Sequence, residues 1–457
     1  MKIAIAGATG FVGSHLLRKL VAEGHDIVAL SRRDLSDQNT DQVQWKTCDL
    51  FSRLDLLESM KNCQAAFYLV HSMLPSARLT QGSFADYDLV LADNFARAAR
   101  MLELQHIVYV SGIIPDDFQL SRHLLSRLEV ERTLKASGVP VTTFRSGIVL
   151  GMEGSSFRMM VSLVHHLPVM ICPSWTQTLS NPVYIDDLAD AMALVISDAS
   201  LQGKTYDVGG DTTLSYQDMM QKLAIKMKKK RYFLSVPFFS PTISRWWVAL
   251  ITGAPKALVY PLVGSLKTHM VPNVHRRIPS DKLRWRSFDQ AMETIFNKPK
   301  TPDVQPRAFQ YTGTGKEAEV RSIQRLETLY RFTAKEVAEL YFQWLPKFCR
   351  PWVRVEAKDS EIQLFGWGMK KPLMTFVYSS KVSQEAHQVY YIRKGYLTHG
   401  RGRGRLSFRS IIDLRYTMVE IHEFQPSLPW YVYKYTQAIL HLWVMRRFNR
   451  YLLSIKK

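Results

Sequence analysis

Over the first part of the chain, short β-branched runs alternate with longer stretches whose apolar residues recur at helical spacing. Lys2–Ala6, Asp26–Ser31, Ala65–Val70, His106–Ser111 and Val141–Ser146 predict strands. Between them, Phe11–Ala22, Phe84–Leu102 and Ser121–Ala136 predict helices. Strands separated by helices predict a parallel sheet covered on both faces, a doubly wound α/β Rossmann domain. From about Gly151 the rhythm loosens around Pro168, Pro173 and Pro182, and helices over Ile185–Ser197 and Tyr216–Lys228 follow. This predicts a small substrate lobe over about 151–300, closing a first domain of 1–300. Residues 301–315 hold Pro302, Pro306, Gly313 and Gly315 without an apolar period, which predicts a linker. Beyond it come a helix over Thr333–Leu345, strand-like runs turning at Gly366–Gly368 and Arg401–Gly404, and a last helical segment over Trp430–Leu453. They predict a separate α+β domain, 316–457.

Composition narrows the function classes. With 46% hydrophobic and 22% charged residues in 457, the chain is globular rather than disordered. Its net charge of +20 points to an acidic partner: nucleotide phosphate, nucleic acid or an anionic membrane. The excess is concentrated late, with 26 basic and 13 acidic residues from Thr301 onward. Cys48, Cys63, Cys172 and Cys349 are scattered, so neither a disulfide framework nor a metal site is expected, and a cytoplasmic location fits. Met1 leads directly into a strand, so no signal peptide is expected. The longest apolar stretch, Trp246 to Val263, is broken by Gly253, Pro255, Lys256 and Pro261, which argues against a spanning helix.

Gly7-Ala8-Thr9-Gly10-Phe11-Val12-Gly13 follows a strand and opens a helix. In that setting glycines let the backbone turn tightly and approach a pyrophosphate on the helix N-terminus. A dinucleotide is therefore the expected cofactor. After the second strand, a reader of a free ribose would be Asp or Glu. Arg32 and Arg33 stand there instead, which favours NADP(H) over NAD(H), the alternative being a solvated pair. Asp49, in Cys48-Asp49-Leu50, suits either the adenine amino group or a helix N-cap.

These segments, with Tyr68-Leu69-Val70-His71, Val108-Tyr109-Val110-Ser111, Arg145–Gly151 and Asn181–Leu188, resemble the atypical extended short-chain dehydrogenase/reductases. His71-Ser72-Met73 and Ser126–Glu129 resemble the NmrA-like, YbjT-like branch, which is also related to the accessory subunit of respiratory complex I. The resemblance covers roughly 1–300. The segment from about Val320 resembles a domain often fused behind such units, a START-like sheet gripping a long C-terminal helix. The resemblance implies that Gly7, Gly10 and Gly13 line the pyrophosphate and Asp49 and Leu50 meet the adenine. It further places Val70 and His71 at the ribose, and Arg145 with Gly147 and Ile148 beside the nicotinamide.

One part of the family pattern is missing. Active members carry Tyr-x-x-x-Lys on the helix after the fifth strand. Here no Tyr lies between Tyr109 and Tyr184, and no Lys between Lys61 and Lys135. The equivalent positions are His123 and Arg127, four apart and so on one helix face. Arg127 can hold a ribose but cannot exchange protons. His123 can act as acid or base near neutral pH, with Ser111 polarising a substrate oxygen. The bland alternative is a ribose-facing helical pair without chemistry. Two function classes follow: an oxidoreductase acting on an apolar small molecule (a quinone, isoprenoid or other carbonyl compound), or a non-catalytic nucleotide-binding redox sensor or assembly factor. Lys226–Arg231 and Arg401–Arg405 read as a helix end and a basic turn, so nucleic acid is not an expected partner. Trp443, Arg446, Arg447, Phe448 and Arg450 suit either a core-packed helix with a basic edge or contact with the inner face of an anionic membrane.

Overall fold

A computed structural model describes residues 1–72, 79–115, 120–236, 249, 251–279, 281–297, 320–328, 330–358, 360–399, 404–411 and 416–455. The linker expected at 301–315 and most of the Arg401–Gly404 turn lie outside them. The chain divides into two compact units: Met1–Met73 with Leu91–Tyr311, and Leu74–Val90 with Thr312–Lys457.

The first unit is built on strands β1 (Lys2–Ala6), β2 (Asp26–Ser31), β3 (Val43–Thr47) and β4 (Ala65–Tyr68). A short β5 (Leu79–Gln81) belongs to the other unit, and β6 (His106–Gly112) and β7 (Val141–Ser146) complete the series. With the strand Thr205–Val208 they form a parallel seven-stranded sheet in the order β3-β2-β1-β4-β6-β7-(205–208). Ile3, Ala4, Ile5 and Ala6 are all buried, because a central parallel strand is covered on both faces. Helices α1 (Phe11–Ala22), α2 (Arg53–Ser59), α3 (Phe84–Met101) and α4 (Arg122–Lys135) connect the strands. The strand order reverses between β1 and β4, so the crevice at their carboxyl ends is where a ligand belongs. Beyond the sheet, α5 (Ser155–His166) and the helices Tyr216–Lys226 and Phe288–Asn297 share a core of Phe157, Met160, Leu163, Tyr216, Met220 and Phe288.

The second unit is an antiparallel sheet running from Val353–Lys358 through Glu361–Gly366, Met374–Tyr378, His387–Ile392, Arg405–Ile411 and Tyr416–Phe424 to Val320–Glu327. Its eighth strand is β5, which adds parallel to Val320–Ser322. The Asp86–Arg325 ion pair (2.9 Å) and the Tyr87 hydroxyl donating to the Arg321 carbonyl (3.1 Å) anchor the residues that follow β5. The helix Ala334–Phe348 starts at a Thr333/Glu336 capping box. It packs Tyr341 and Trp344 on Phe408 of the sheet and Phe448 of the final helix, Gln437–Ser454. Among the described residues, no helix is long and apolar enough to cross a membrane.

Candidate dinucleotide and substrate site

The glycine loop explains its own composition. Gly7 takes φ +93°, a conformation that costs an L side chain energy. A Cβ on Gly13 would lie 2.1 Å from the Gly7 carbonyl oxygen, so only glycine lets α1 start this close to β1. Gly10 donates to that same carbonyl (2.9 Å) and caps α1 without a side-chain hydrogen bond. The first turn of α1 holds no acidic residue. Its N–H groups and positive dipole end thus remain suited to a phosphate. Thr9 and Gly10 are exposed on this loop.

Arg32 and Arg33 stand exposed just past the end of β2, where a 2′-phosphate reader belongs. Asp49 accepts from the Phe51 backbone N–H (3.1 Å), and the cap of α2 is Ser52 rather than Asp49. Leu50 is buried, its carbonyl held by the Asn94 amide (3.0 Å). Val70 and His71 follow β4, next to the loop: a Cβ on Gly7 would touch the Leu69 carbonyl at 3.0 Å.

A cavity of about 320 Å³ opens from this point across the carboxyl ends of β6 and β7. Phe11, Val12, His71, Ser111, His123, Arg127, Gly147 and Ile148 all line it, so one cavity unites both expected catalytic residues with part of the expected cofactor set. The sequence reading did not name its remaining walls: Met159, Met160, Leu163, Met220, Leu262 and Met270. All but Met270, which forms an isolated bridge with Ser180, sit on helices whose periodicity announces burial but not which side faces a void. Phe11 is seated against Gly151 and Gly154, whose Cβ positions fall 2.5 and 2.8 Å from its ring. The cavity is mostly apolar, with hydroxyl and imidazole groups at a few points, a composition typical of small-molecule sites. Tyr216 also lines it, and burial pushes its phenol pKa up, which keeps the phenol protonated.

His123 and Arg127 share a face of α4 but do different work. The Arg127 guanidinium is buried and donates to the backbone carbonyls of Val70 (3.5 Å) and Val110. It also lies 4.8 Å from the Tyr109 ring centroid. These contacts tie α4 to the ends of β4 and β6. The Arg145 side chain turns to Glu131, with both contacts at 3.1 Å, and the cavity is lined by Ser146, Gly147 and Ile148 rather than by Arg145.

His123 is half-buried, with its ring 5.2 Å from that of His71. Its Nδ1 lies 3.2 Å from the Ser265 hydroxyl, at the end of the helix Lys256–Ser265. The Ser265 hydroxyl donates to the Pro261 carbonyl one turn back (3.1 Å), and Ser121 Oγ lies 2.9 Å from it. Ser121 caps α4 by accepting from the Leu124 N–H (3.2 Å), which leaves its own proton for Ser265. A Ser265 hydroxyl that donates to Pro261 can accept from both Ser121 and the Nδ1–H form of His123. Ser111, at the end of β6, is buried in the same cavity wall.

Comparisons with known proteins agree with this geometry. Residues 3–209 match the NAD dependent epimerase/dehydratase family. The chain is similar to the auxiliary protein GraX of Staphylococcus aureus (29% identity over 144 residues, 31% of this chain and 43% of that protein). It is also similar to a Stigmatella aurantiaca ketoreductase of a farnesylated quinoline oxide (30% over 199 residues, 42% of this chain and 55% of that protein). A third relative is the mitochondrial NADH-ubiquinone oxidoreductase 40 kDa subunit of Neurospora crassa (19% over 239 residues, 51% and 62%). The chain thus spans about two fifths to three fifths of these relatives' lengths. Among solved structures, it is similar to an Escherichia coli NADPH-dependent quinone oxidoreductase bound to NADPH. There the TM-score is 0.52 at 21% identity, covering 65% of this chain and 100% of that one. The Citrobacter triphenylmethane reductase bound to NADP(H) gives a TM-score of 0.52 at 17% identity, with 65% and 100% covered. Residues 3–209 thus combine a match to the NAD dependent epimerase/dehydratase family with a parallel, Rossmann-like seven-stranded sheet.

Proposed function

We propose that the protein is an NADPH-dependent reductase of an apolar carbonyl or quinone compound. The observation that carries this reading is the methionine-rich cavity, which begins at the glycine loop and holds His123 and Ser111 in its wall. NADPH, when bound, supplies a hydride to the substrate carbon. The chain supplies the rest. Gly7, Gly10 and Gly13 admit the pyrophosphate, and Arg32 and Arg33 read the 2′-phosphate, hence NADP(H) over NAD(H). Met159, Met160, Leu163 and Met220 desolvate the substrate. His123, protonated on both nitrogens, gives its Nε2 proton to the substrate oxygen while Ser265 holds Nδ1–H; Ser111 polarises the same oxygen. The Escherichia coli quinone oxidoreductase, the Citrobacter triphenylmethane reductase and the Stigmatella ketoreductase, to which the chain is similar, support reduction of apolar ring systems. The antiparallel second unit with its long final helix is read as a START-like, helix-grip domain.

A second reading is a nucleotide-binding module without turnover. The tethering of Arg127 to backbone carbonyls favours it, because the position equivalent to the family's lysine is then occupied by a structural clamp. One experiment separates the two: anaerobic purification and mass spectrometry of co-purifying small molecules, followed by NADPH oxidation with a panel of apolar quinones and ketones. Bound NADP(H) with turnover supports the reductase. Bound nucleotide with no turnover across the panel supports the module.

A further inference from the structure

The last 28 residues, Trp430–Lys457, contain six cations (Lys434, Arg446, Arg447, Arg450, Lys456, Lys457) and no Asp or Glu. Within it the structure forms the helices Trp430–Tyr435 and Gln437–Ser454, separated at Thr436. One stripe of the second helix, Ala438, Met445, Phe448 and Leu452, is buried in the core of its unit. Core packing accounts for that side and for the contact of the Trp443 ring with Phe348 (centroids 5.0 Å apart). The opposite stripe, at helical spacing, carries Ile439, Leu440 and Trp443 and continues as Arg446, Arg447 and Arg450. Ile439, Leu440 and Trp443 are 55%, 58% and 45% exposed, and Tyr431 and Tyr435 of the preceding helix are 77% and 64% exposed. Arg447 lies 5.7 Å from the Trp443 ring centroid and Lys434 lies 5.2 Å from that of Tyr435.

We infer that this surface seats the protein on an anionic lipid bilayer, with the final helix lying in the interface plane. Interfacial helices combine an apolar stripe with Lys and Arg, and Trp and Tyr favour the headgroup depth because their rings are apolar with a polar edge. The single sign of charge selects the partner. A run of cations with no acidic residue matches a continuous sheet of anionic headgroups, whereas a protein surface presents both signs. The helix is too short of apolar residues to span the bilayer, so it lies on it. The docking stands without the activity proposed for the first unit.

The test is sedimentation of the full-length chain with sucrose-loaded vesicles of phosphatidylcholine, with or without about 30% phosphatidylglycerol. The expected result is binding to the anionic vesicles, weakening steeply with added salt, and little binding to the neutral ones. Ile439→Gln with Leu440→Gln and Trp443→Gln should reduce anionic-vesicle partitioning by at least about tenfold. Arg446→Gln with Arg447→Gln keeps the apolar stripe and should cut binding several-fold while flattening the salt dependence. Circular dichroism and the thermal midpoint confirm that each variant is folded. Two results would overturn the inference. One is a folded wild-type chain that stays in the supernatant with anionic vesicles. The other is a wild-type chain that self-associates through this face, with the association lost in the triple variant and no vesicle binding in either.

Discussion

Replacing Gly13 by alanine tests the nucleotide loop at its tightest point. The new Cβ would sit 2.1 Å from the Gly7 carbonyl oxygen, 2.8 Å from the Gly7 carbonyl carbon and 2.9 Å from the Ala8 Cα. All three are backbone atoms, so no side chain can swing away. Ordinary contact begins at 3.4 Å, so loop and helix must separate by more than 1 Å along the closest approach. That displacement disrupts the cradle in which Gly10 bonds the Gly7 carbonyl and α1 presents its N–H groups. Overpacking a close contact costs about 1–3 kcal/mol. If the cost falls on the bound geometry, NADPH affinity drops by about 5- to 150-fold at 1.4 kcal/mol per tenfold. The assay is NADPH titration by intrinsic tryptophan fluorescence, with the thermal midpoint as a folding control. A folded Gly13→Ala protein whose Kd stays within about twofold of wild type would refute the placement of the pyrophosphate on this loop.

Arg32→Ala with Arg33→Ala should weaken NADPH by about ten- to a hundredfold, as charge-assisted contacts are worth about 1.5–3 kcal/mol, and leave NADH almost unchanged. Equal losses for both cofactors in parallel titrations would remove these residues from 2′-phosphate recognition. Ser265→Ala should release His123 from its Nδ1–H form; ¹⁵N NMR of the imidazole should show a shift toward the Nε2–H form, with Ser265→Thr restoring wild-type behaviour. An unchanged spectrum would mean that Ser265 does not position His123. His106 is buried with its Nε2 2.7 Å from the Thr142 hydroxyl, and burial lowers its pKa from 6.5 to about 4. The unfolded chain then binds the proton more readily than the folded one. Its contribution, about 3 kcal/mol, is complete above pH about 6.5 and is lost as pH falls toward about 4. Urea unfolding followed by circular dichroism across that window should show a shallower acid loss in His106→Asn than in wild type, and identical slopes would contradict the assignment.

Much of the first unit was legible because each signal was local. Lys2–Ala6, Phe11–Ala22, Asp26–Ser31, Val141–Ser146 and Ile185–Ser197 appear at their expected limits. Their apolar period, the glycine spacing and the strand-to-helix context all point the same way. Long-range partners were not legible. Leu79–Gln81 shows no alternation; it is a strand because Val320–Ser322, some 240 residues later, offers an edge. The final helical segment reads as continuous, yet Thr436 (φ −124°, ψ −84°) divides it. Likewise, four-residue spacing placed His123 and Arg127 on one face of α4, and both reach the cavity. Nothing in the sequence said that Arg127 would be drawn to two strand-end carbonyls, or that Ser265 would meet His123 across 142 residues. A serine after a proline-interrupted helix has no signature of its own.

The most direct test of the reductase account is single-turnover NADPH oxidation under anaerobic conditions with an apolar quinone or aryl ketone, comparing wild type with His123→Ala. The expected result is loss of NADPH absorbance in the wild type, slowed at least about 10²-fold in His123→Ala with NADPH affinity preserved, the lower range for a positioned acid. His123→Ala oxidising NADPH at the wild-type rate, or a wild type that binds NADPH tightly and oxidises none with any of these substrates, would contradict it.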